Sequence, residues 1–130
     1  MAGKSTSTPE SAQLAAEIAA AESELKPFVR LFARSASLPQ GPAAFYANLR
    51  TLEDRTACIE LTVRGWRVVS DRFDSTGDGQ PPADWPQRHF ETMQQLLSKV
   101  SAGYRLQFAS SLSSALADLQ KEREAESGSE

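Results

Sequence analysis

The chain has 130 residues, 40% of them hydrophobic, with a formal net charge of −3 and a pI of about 5.2. These values fit one domain and argue against a basic surface that would neutralise nucleic-acid phosphates. The single cysteine, Cys58, excludes an internal disulfide and suits a reducing compartment. No apolar run reaches the roughly 18 residues of a membrane span, and no secretory signal opens the chain. We therefore expect a soluble protein of the cytoplasm, and of the nucleus as well, with no nucleic-acid or membrane partner.

The N-terminal part of the chain predicts a disordered segment and then a helix. Residues 1–12 are rich in Ser and Thr, which favours disorder. From Ser11 onward a helical spacing of apolar residues places one stripe on one face, namely Leu14, Ile18, Ala21 and Leu25. Pro27 should break this helix, and the pattern predicts a second helical piece from Pro27 to about Ala36. The breaker-rich residues 38–42 predict a loop.

Three alternating runs then predict a small antiparallel sheet. The runs are AFYANLRTL, ACIELTV and WRVVSDRF, in each of which apolar side chains alternate with more polar ones. Gly65 fits a tight turn between the second and third runs because it tolerates positive φ. We expect a three-stranded antiparallel meander.

The C-terminal part predicts a loop and two helices. Residues 74–86 contain two Gly and three Pro and predict a loop, with Asp84 as N-cap and Pro86 in the first turn of the next helix. Ser101 fits the N-cap of a final helix that runs to about Arg123, before an acidic, disordered tail at 124–130. The predicted domain spans 13–123. The fold class is α+β, with an N-terminal helix, the three-stranded meander and two C-terminal helices packed on the sheet.

The sequence offers no constellation of catalytic or metal-binding residues. His89 stands alone and fits a surface or capping role, and Cys58 fits a small core residue. The stretch DSTGDGQ lacks the alternating oxygen ligands of a calcium loop. We therefore predict a protein without catalytic residues, metal or cofactor; an enzyme with an unrecognised polar pocket is the remote alternative.

A stripe of large apolar residues marks the final helix. It comprises Tyr104, Phe108, Leu112, Leu116 and Leu119, with small residues between them. Such a stripe can cover the sheet, or it can present anchors at i, i+4, i+8 and i+11 to a groove on a partner. The spacing alone favours core but leaves both interpretations open.

Three blocks of the sequence carry a family resemblance. They are YANLRTLEDR (46–55), CIELTVRGWRVVS (58–70) and the helical stretch HFETMQQLLSKVSAGYRLQFASSLSSALADLQ (89–120). In this order they resemble the first strand and turn, the strand pair and the helical pair of the glycogen synthase kinase-3 interaction protein family. The resemblance covers roughly residues 43–121.

The resemblance implies a small adaptor without enzymatic activity. In the family the C-terminal helix binds glycogen synthase kinase-3, in a groove also used by an Axin helix. The anchors that the resemblance carries over are Phe108, Leu112, Leu116 and Leu119. We expect the protein to scaffold or inhibit this kinase and to be a monomer. The alternative is an interaction domain with a different partner, in which the last helix is mainly core.

The resemblance also suggests a second partner, protein kinase A, but the sequence argues against binding to it. Some members anchor protein kinase A by binding its regulatory subunit with an unbroken apolar helix face near the N-terminus. The matching segment here is about Ala20–Phe32, where Glu24 and Lys26 replace apolar residues and Pro27 interrupts the helix. We therefore expect no binding to the regulatory subunit of protein kinase A.

Overall fold

The computed structural model describes residues 9–76 and 80–128, with side chains described as far as Lys121. Within these ranges the chain forms three α-helices, one 3₁₀ turn and four strands. In chain order they are α1 Pro9–Glu24, the 3₁₀ turn Lys26–Phe28, β1 Leu31–Arg34, β2 Phe45–Arg50, β3 Thr56–Thr62, β4 Gly65–Ser70, α2 Met93–Val100 and α3 Ala102–Gly128.

The four strands form one antiparallel sheet in the order β1-β2-β3-β4. Phe45 of β2 lies opposite Leu61 of β3, which in turn lies opposite Trp66 of β4. Gly65 has a φ of 120° at the β3–β4 turn, as its predicted turn role requires. The predicted α+β class is confirmed. The predicted meander corresponds to β2, β3 and β4, and the prediction of three strands is wrong by the additional strand β1.

The prediction of a helical piece from Pro27 to about Ala36 is also wrong. Only one 3₁₀ turn forms, and Leu31–Arg34 then pairs with β2 in an extended conformation. Leu31 is 39% exposed whereas Phe32 is 8% exposed, which is the alternation of a strand. Pairing with β2 supplies the backbone hydrogen bonds that a helix would have made locally, so tertiary contact overrides the weak helical spacing.

The hydrophobic core forms between one face of the sheet and the helices. The sheet contributes the alternate residues Phe45, Ala47, Leu49, Ala57, Ile59, Leu61, Trp66 and Val68, all buried. The predicted stripe of the first helix, Leu14, Ile18, Ala21 and Leu25, is buried in the same cluster. Helix α2 adds Met93, Leu96 and Leu97. Cys58 is fully buried, as its predicted role as a small core residue requires, although it is not part of this core cluster.

Helix α2 begins later than predicted. Its N-cap is Thr92, whose hydroxyl accepts a hydrogen bond from the backbone N–H of Gln95 at 3.1 Å. Phe90, predicted inside the helix, instead exchanges two backbone hydrogen bonds of 2.8 Å with Trp66. Asp84 is therefore not the N-cap of this helix, which begins only at Met93. Its two carboxylate oxygens accept hydrogen bonds from Arg55 at 2.7 and 2.8 Å.

The final helix leaves the body of the domain, contrary to the prediction that both C-terminal helices pack on the sheet. Tyr104 is 4% exposed, but from residue 105 to Lys121 every described side chain of α3 is exposed. Helix α3 continues to Gly128, and α1 starts at Pro9, so helices reach into both predicted end segments. Residues 1–8 and 129–130 lie outside the described residues, and the predicted division into domain and disordered ends stays a prediction.

In the part of the chain that the structure describes, no helix combines the length and apolar character needed to cross a membrane.

Candidate functional site

Helix α3 begins at a hydrogen-bonded anchor that ties it to the β2–β3 turn. The carboxylate of Glu53, in that turn, accepts hydrogen bonds from the backbone N–H of Gly103 at 2.6 Å and from the hydroxyl of Ser101 at 3.2 Å. The Ser101 hydroxyl oxygen accepts a bond from the backbone N–H of Tyr104 at 2.9 Å. Ser101 is therefore the N-cap, as predicted, and the first turn of α3 is fixed to the sheet.

The first turn of α3 approaches the β2–β3 turn so closely that it requires glycine. A Cβ atom at Gly103 would lie 2.7 Å from the Glu53 carboxylate and 2.9 Å from the Cβ of Leu52. Both distances are shorter than van der Waals contact. The missing side chain thus allows the carboxylate to reach the helix N-terminus.

The anchor stabilises the ionised form of Glu53. Burial alone would raise the pKa of this carboxyl, but the hydrogen bonds from Gly103, Ser101 and Thr51 outweigh it and hold the pKa below its ordinary value. A charged carboxylate at a helix N-terminus also interacts favourably with the helix dipole.

Three aromatic rings mark the point where α3 leaves the body. Phe28 of the 3₁₀ turn makes an edge contact with Tyr104, with ring centroids 5.5 Å apart. Phe108 stacks on Tyr104 at 5.8 Å and lies 6.1 Å from Phe28. Tyr104 is buried, whereas Phe108 keeps 45% of its surface exposed. Phe108 is therefore supported by the body on one side and open on the other.

Beyond this cluster the helix presents a continuous apolar stripe that the described chain does not cover. Phe108, Leu112, Leu116 and Leu119 are 45%, 52%, 58% and 51% exposed. At 3.6 residues per turn these four side chains fall within an arc of about 80° of the helix surface. The interpretation of this part of the stripe as core is wrong. Leu106, 73% exposed, lies outside this arc, about 120° around the helix from its centre.

Arg105 joins the two C-terminal helices near the start of the stripe. Its guanidinium donates a hydrogen bond to the backbone carbonyl of Ser98 at 2.6 Å, and this carbonyl belongs to the last turn of α2. A cation at a helix C-terminus satisfies a carbonyl that has no partner within the helix. The contact helps to fix the direction in which α3 leaves α2.

Glu53, Phe28, Gly103 and Arg105 belong to this site although they are not among the predicted site residues. Glu53 precedes Gly103 by 50 positions, and no local pattern reveals such a pairing. Phe28 fell in the segment that was predicted to be helical. The one sequence feature that points to this site is the capping residue Ser101, which predicts where α3 begins.

Elsewhere the described residues show little that could perform chemistry. Burial raises the pKa of the Cys58 thiol, which disfavours the reactive thiolate. Among the described residues, no three His, Cys, Asp or Glu side chains are grouped so that they could hold a metal ion. The predicted loop 74–86 has no helix or strand where it is described, and its residues 77–79 lie outside the described ranges.

Comparison with known proteins identifies related sequences. The model of the GSKIP domain family matches residues 14–119. "GSK3-beta interaction protein" from Danio rerio is 36% identical over 78 residues, which cover 60% of this chain and 55% of that protein. The protein of the same description from Gallus gallus is 36% identical over 89 residues, 68% of this chain and 60% of that protein.

A third relative comes from an insect. "Protein GSKIP homolog" from Drosophila melanogaster is 36% identical over 67 residues, which cover 52% of this chain and 54% of that protein. This chain thus spans less than two thirds of the length of the relatives it matches.

Proposed function

The chain belongs to the GSKIP domain family, and we propose that it is an adaptor that binds glycogen synthase kinase-3 through the exposed stripe of α3. The stripe residues are Phe108, Leu112, Leu116 and Leu119. The names of two relatives, from fish and bird, refer to an interaction with GSK3-beta and support the choice of partner. The observation that carries the choice of surface is that four large apolar side chains share one uncovered helix face.

Physical chemistry favours this face for protein binding. A helix that lies in a groove is recognised through apolar residues three, four and seven positions apart, and the stripe has such spacings. Burying a leucine that is half exposed in the free protein removes apolar surface from water and so contributes to affinity. Small residues flank the stripe, among them Ala109, Ser111 and Ala115, and they allow the walls of a groove to approach the helix backbone.

The proposed activity requires binding alone. An adaptor of this kind scaffolds the kinase, or inhibits it by occupying a docking groove that other proteins also use. The GSKIP relatives are described as interaction proteins, which supports a role without catalysis. Adding a saturating amount of the protein to the purified kinase separates the two modes: inhibition lowers turnover of a substrate that needs the groove, whereas scaffolding leaves it unchanged.

The decisive experiment measures the Kd of the purified protein for glycogen synthase kinase-3 beta. Leu112→Ala, Leu116→Ala and Leu119→Ala should each weaken binding by about 2 kcal/mol, roughly thirtyfold, if they act as hot-spot anchors. Alanine has the highest helix propensity, so these changes should leave α3 helical.

The matched control is Leu106→Ala, which removes an equally large exposed side chain of the same helix from outside the arc of the stripe. It should leave the Kd unchanged. If the stripe variants bind as tightly as Leu106→Ala and the unchanged protein do, α3 is not the docking surface.

The structure also bears on the expected absence of protein kinase A anchoring. The apolar face of α1, namely Leu14, Ile18 and Ala21, is buried against the domain's own core. A face that is already covered could contact a partner helix only after α1 had left the sheet. This supports the proposal that α1 does not dock to the regulatory subunit, and a binding measurement with that subunit tests it.

A further inference from the structure

We propose that Phe28, in the body of the domain, is a positioning residue that pre-organises the stripe residue Phe108 for kinase binding. The inference rests on the proposed function, because it assigns to Phe108 the role of an anchor in that complex. It adds that affinity depends on a residue outside α3, separated from Phe108 by most of the chain.

Phe28 is itself held firmly. It ends the 3₁₀ turn, where its backbone N–H donates to the carbonyl of Leu25 at 2.8 Å, and Leu25 is fully buried. The Phe28 ring packs against the core at its inner side and against Tyr104 at 5.5 Å. The body of the domain therefore provides a fixed surface next to α3.

Phe108 lies against this fixed surface. Its ring centroid is 5.8 Å from that of Tyr104 and 6.1 Å from that of Phe28, so two rings limit the rotamers available to it. A phenylalanine on a free helix would exchange between rotamers and would lose that freedom on binding. Part of this loss has already occurred in the unbound protein, which reduces the entropic cost of association.

Phe108 differs in this respect from the rest of the stripe. Leu112, Leu116 and Leu119 lie farther along α3, where every described side chain is exposed. They must become ordered when the partner binds. The support from Phe28 thus makes Phe108 the pre-formed end of the docking surface, from which contact can extend along the helix.

The test is a double-mutant cycle on the full chain, with the Kd for glycogen synthase kinase-3 beta as the readout. Phe28→Ala should weaken binding roughly three- to tenfold, the range expected for the ordering of one side chain. In a Phe108→Ala background the same change should have no effect, because Phe28 acts through Phe108. Phe28→Tyr, which keeps the ring, should restore the affinity.

Two further variants keep the test independent of folding. Phe28→Leu retains apolar bulk against the core but lacks the aromatic ring, so it should fold and still bind less tightly. Val63→Ala is the control, since Val63 is 69% exposed in the β3–β4 turn, at the opposite end of the sheet from the β2–β3 turn that anchors α3. Its affinity should equal that of the unchanged protein.

The possible failures can be told apart. If Leu112→Ala weakens binding but Phe28→Ala and Phe28→Leu do not, the inference about Phe28 is overturned and the proposed function stands. If Phe28→Ala weakens binding equally with and without Phe108, Phe28 does not act through Phe108 and the inference is again overturned. If Leu112→Ala has no effect either, the proposed function itself fails.

Discussion

Glu53 and Gly103 show how single residues set the starting point of a long helix. The carboxylate of Glu53 reaches the helix N-terminus only because position 103 has no Cβ atom. The sequence predicted Ser101 as the cap, since capping residues follow a local pattern. It could not predict Glu53, because a contact across 50 positions depends on how the turn and the helix meet in three dimensions.

Loss of the Glu53 charge should lower stability in a pH-dependent way. Glu53→Gln keeps a hydrogen-bond acceptor but removes the charge, and at pH 7 it should lower the free energy of unfolding by about 1 kcal/mol. Because the folded-state pKa lies below the ordinary value of 4.5, the stabilising effect is complete above that pH. It is lost as the pH falls through the folded-state pKa.

Urea unfolding of the unchanged protein and of Glu53→Gln, measured from pH 7 to pH 3, checks this expectation. The difference between the two should be greatest near pH 7 and should shrink below about pH 4.5. A difference that stays constant across this range would show that the charge of Glu53 does not contribute.

Replacement of Gly103 by alanine should lower the stability of the fold, whereas Gly→Ala within a helix usually raises it. Gly→Ala within a helix ordinarily stabilises by about 0.5–1 kcal/mol. Here the new methyl group would lie 2.9 Å from the Leu52 Cβ, which is not the flexible end of a side chain. We expect Gly103→Ala to destabilise the fold by about 1 kcal/mol or more, measured by chemical denaturation. A variant more stable than the unchanged protein would mean that the first turn of α3 can move away from the β2–β3 turn without loss of free energy.

At the scale of elements, the two wrong predictions, a helix in place of β1 and a covered stripe on α3, have a common cause. Residues of β1 have apolar spacings that fit a helix as well as a strand, and only pairing with β2 decides between them. The stripe of α3 was visible in the sequence, but its spacing does not reveal whether a sheet extends far enough to cover it. In both cases the outcome depends on a neighbouring element and not on the segment itself.

Helix α3 should consist of a stable base and a labile distal part. Near residues 101–108 the cap, Arg105 and the aromatic rings hold the helix, whereas the described side chains from 109 to 121 are all exposed. Helices without tertiary contacts are marginal in water. In the free protein we expect slow amide exchange at 105–108 and fast exchange at 113–121.

Hydrogen exchange followed by mass spectrometry checks this gradient. Adding the kinase should slow exchange at 113–121, and Leu116→Ala should reduce that protection. Equally slow exchange along the whole helix of the free protein would contradict the division into base and distal part.

On the scale of the whole molecule, the folded body and the exposed stripe are separate. The body contains α1, α2 and the four-stranded sheet around one core, and its α+β class was predictable from alternation and helical spacing. The stripe contributes surface to water and not to this core. What the sequence could not supply was the boundary between them, because Tyr104 and Phe108 belong to one pattern.

Because the body and the stripe are separate, we expect buried leucines to contribute to stability and stripe leucines to contribute to binding. Leu49→Ala, at a fully buried position of the sheet, should lower the free energy of unfolding by about 2–5 kcal/mol. Leu119→Ala, at a half-exposed position, should change it by less than about 0.5 kcal/mol while weakening kinase binding. Denaturation curves and Kd values for both variants check this, and a large loss of stability in Leu119→Ala would contradict it.

The uncovered stripe also has a consequence for how such a chain can evolve. Substitutions at Leu112, Leu116 and Leu119 that keep the helix remove little buried surface, so the fold constrains them weakly and the proposed partner's groove would be the main limit on what is accepted there. Ser101, Gly103 and Tyr104, about two to five turns earlier in the same helix, are constrained by the fold whatever the partner is. A lineage could therefore change its binding preference by drift along α3 while its sheet and core stay the same.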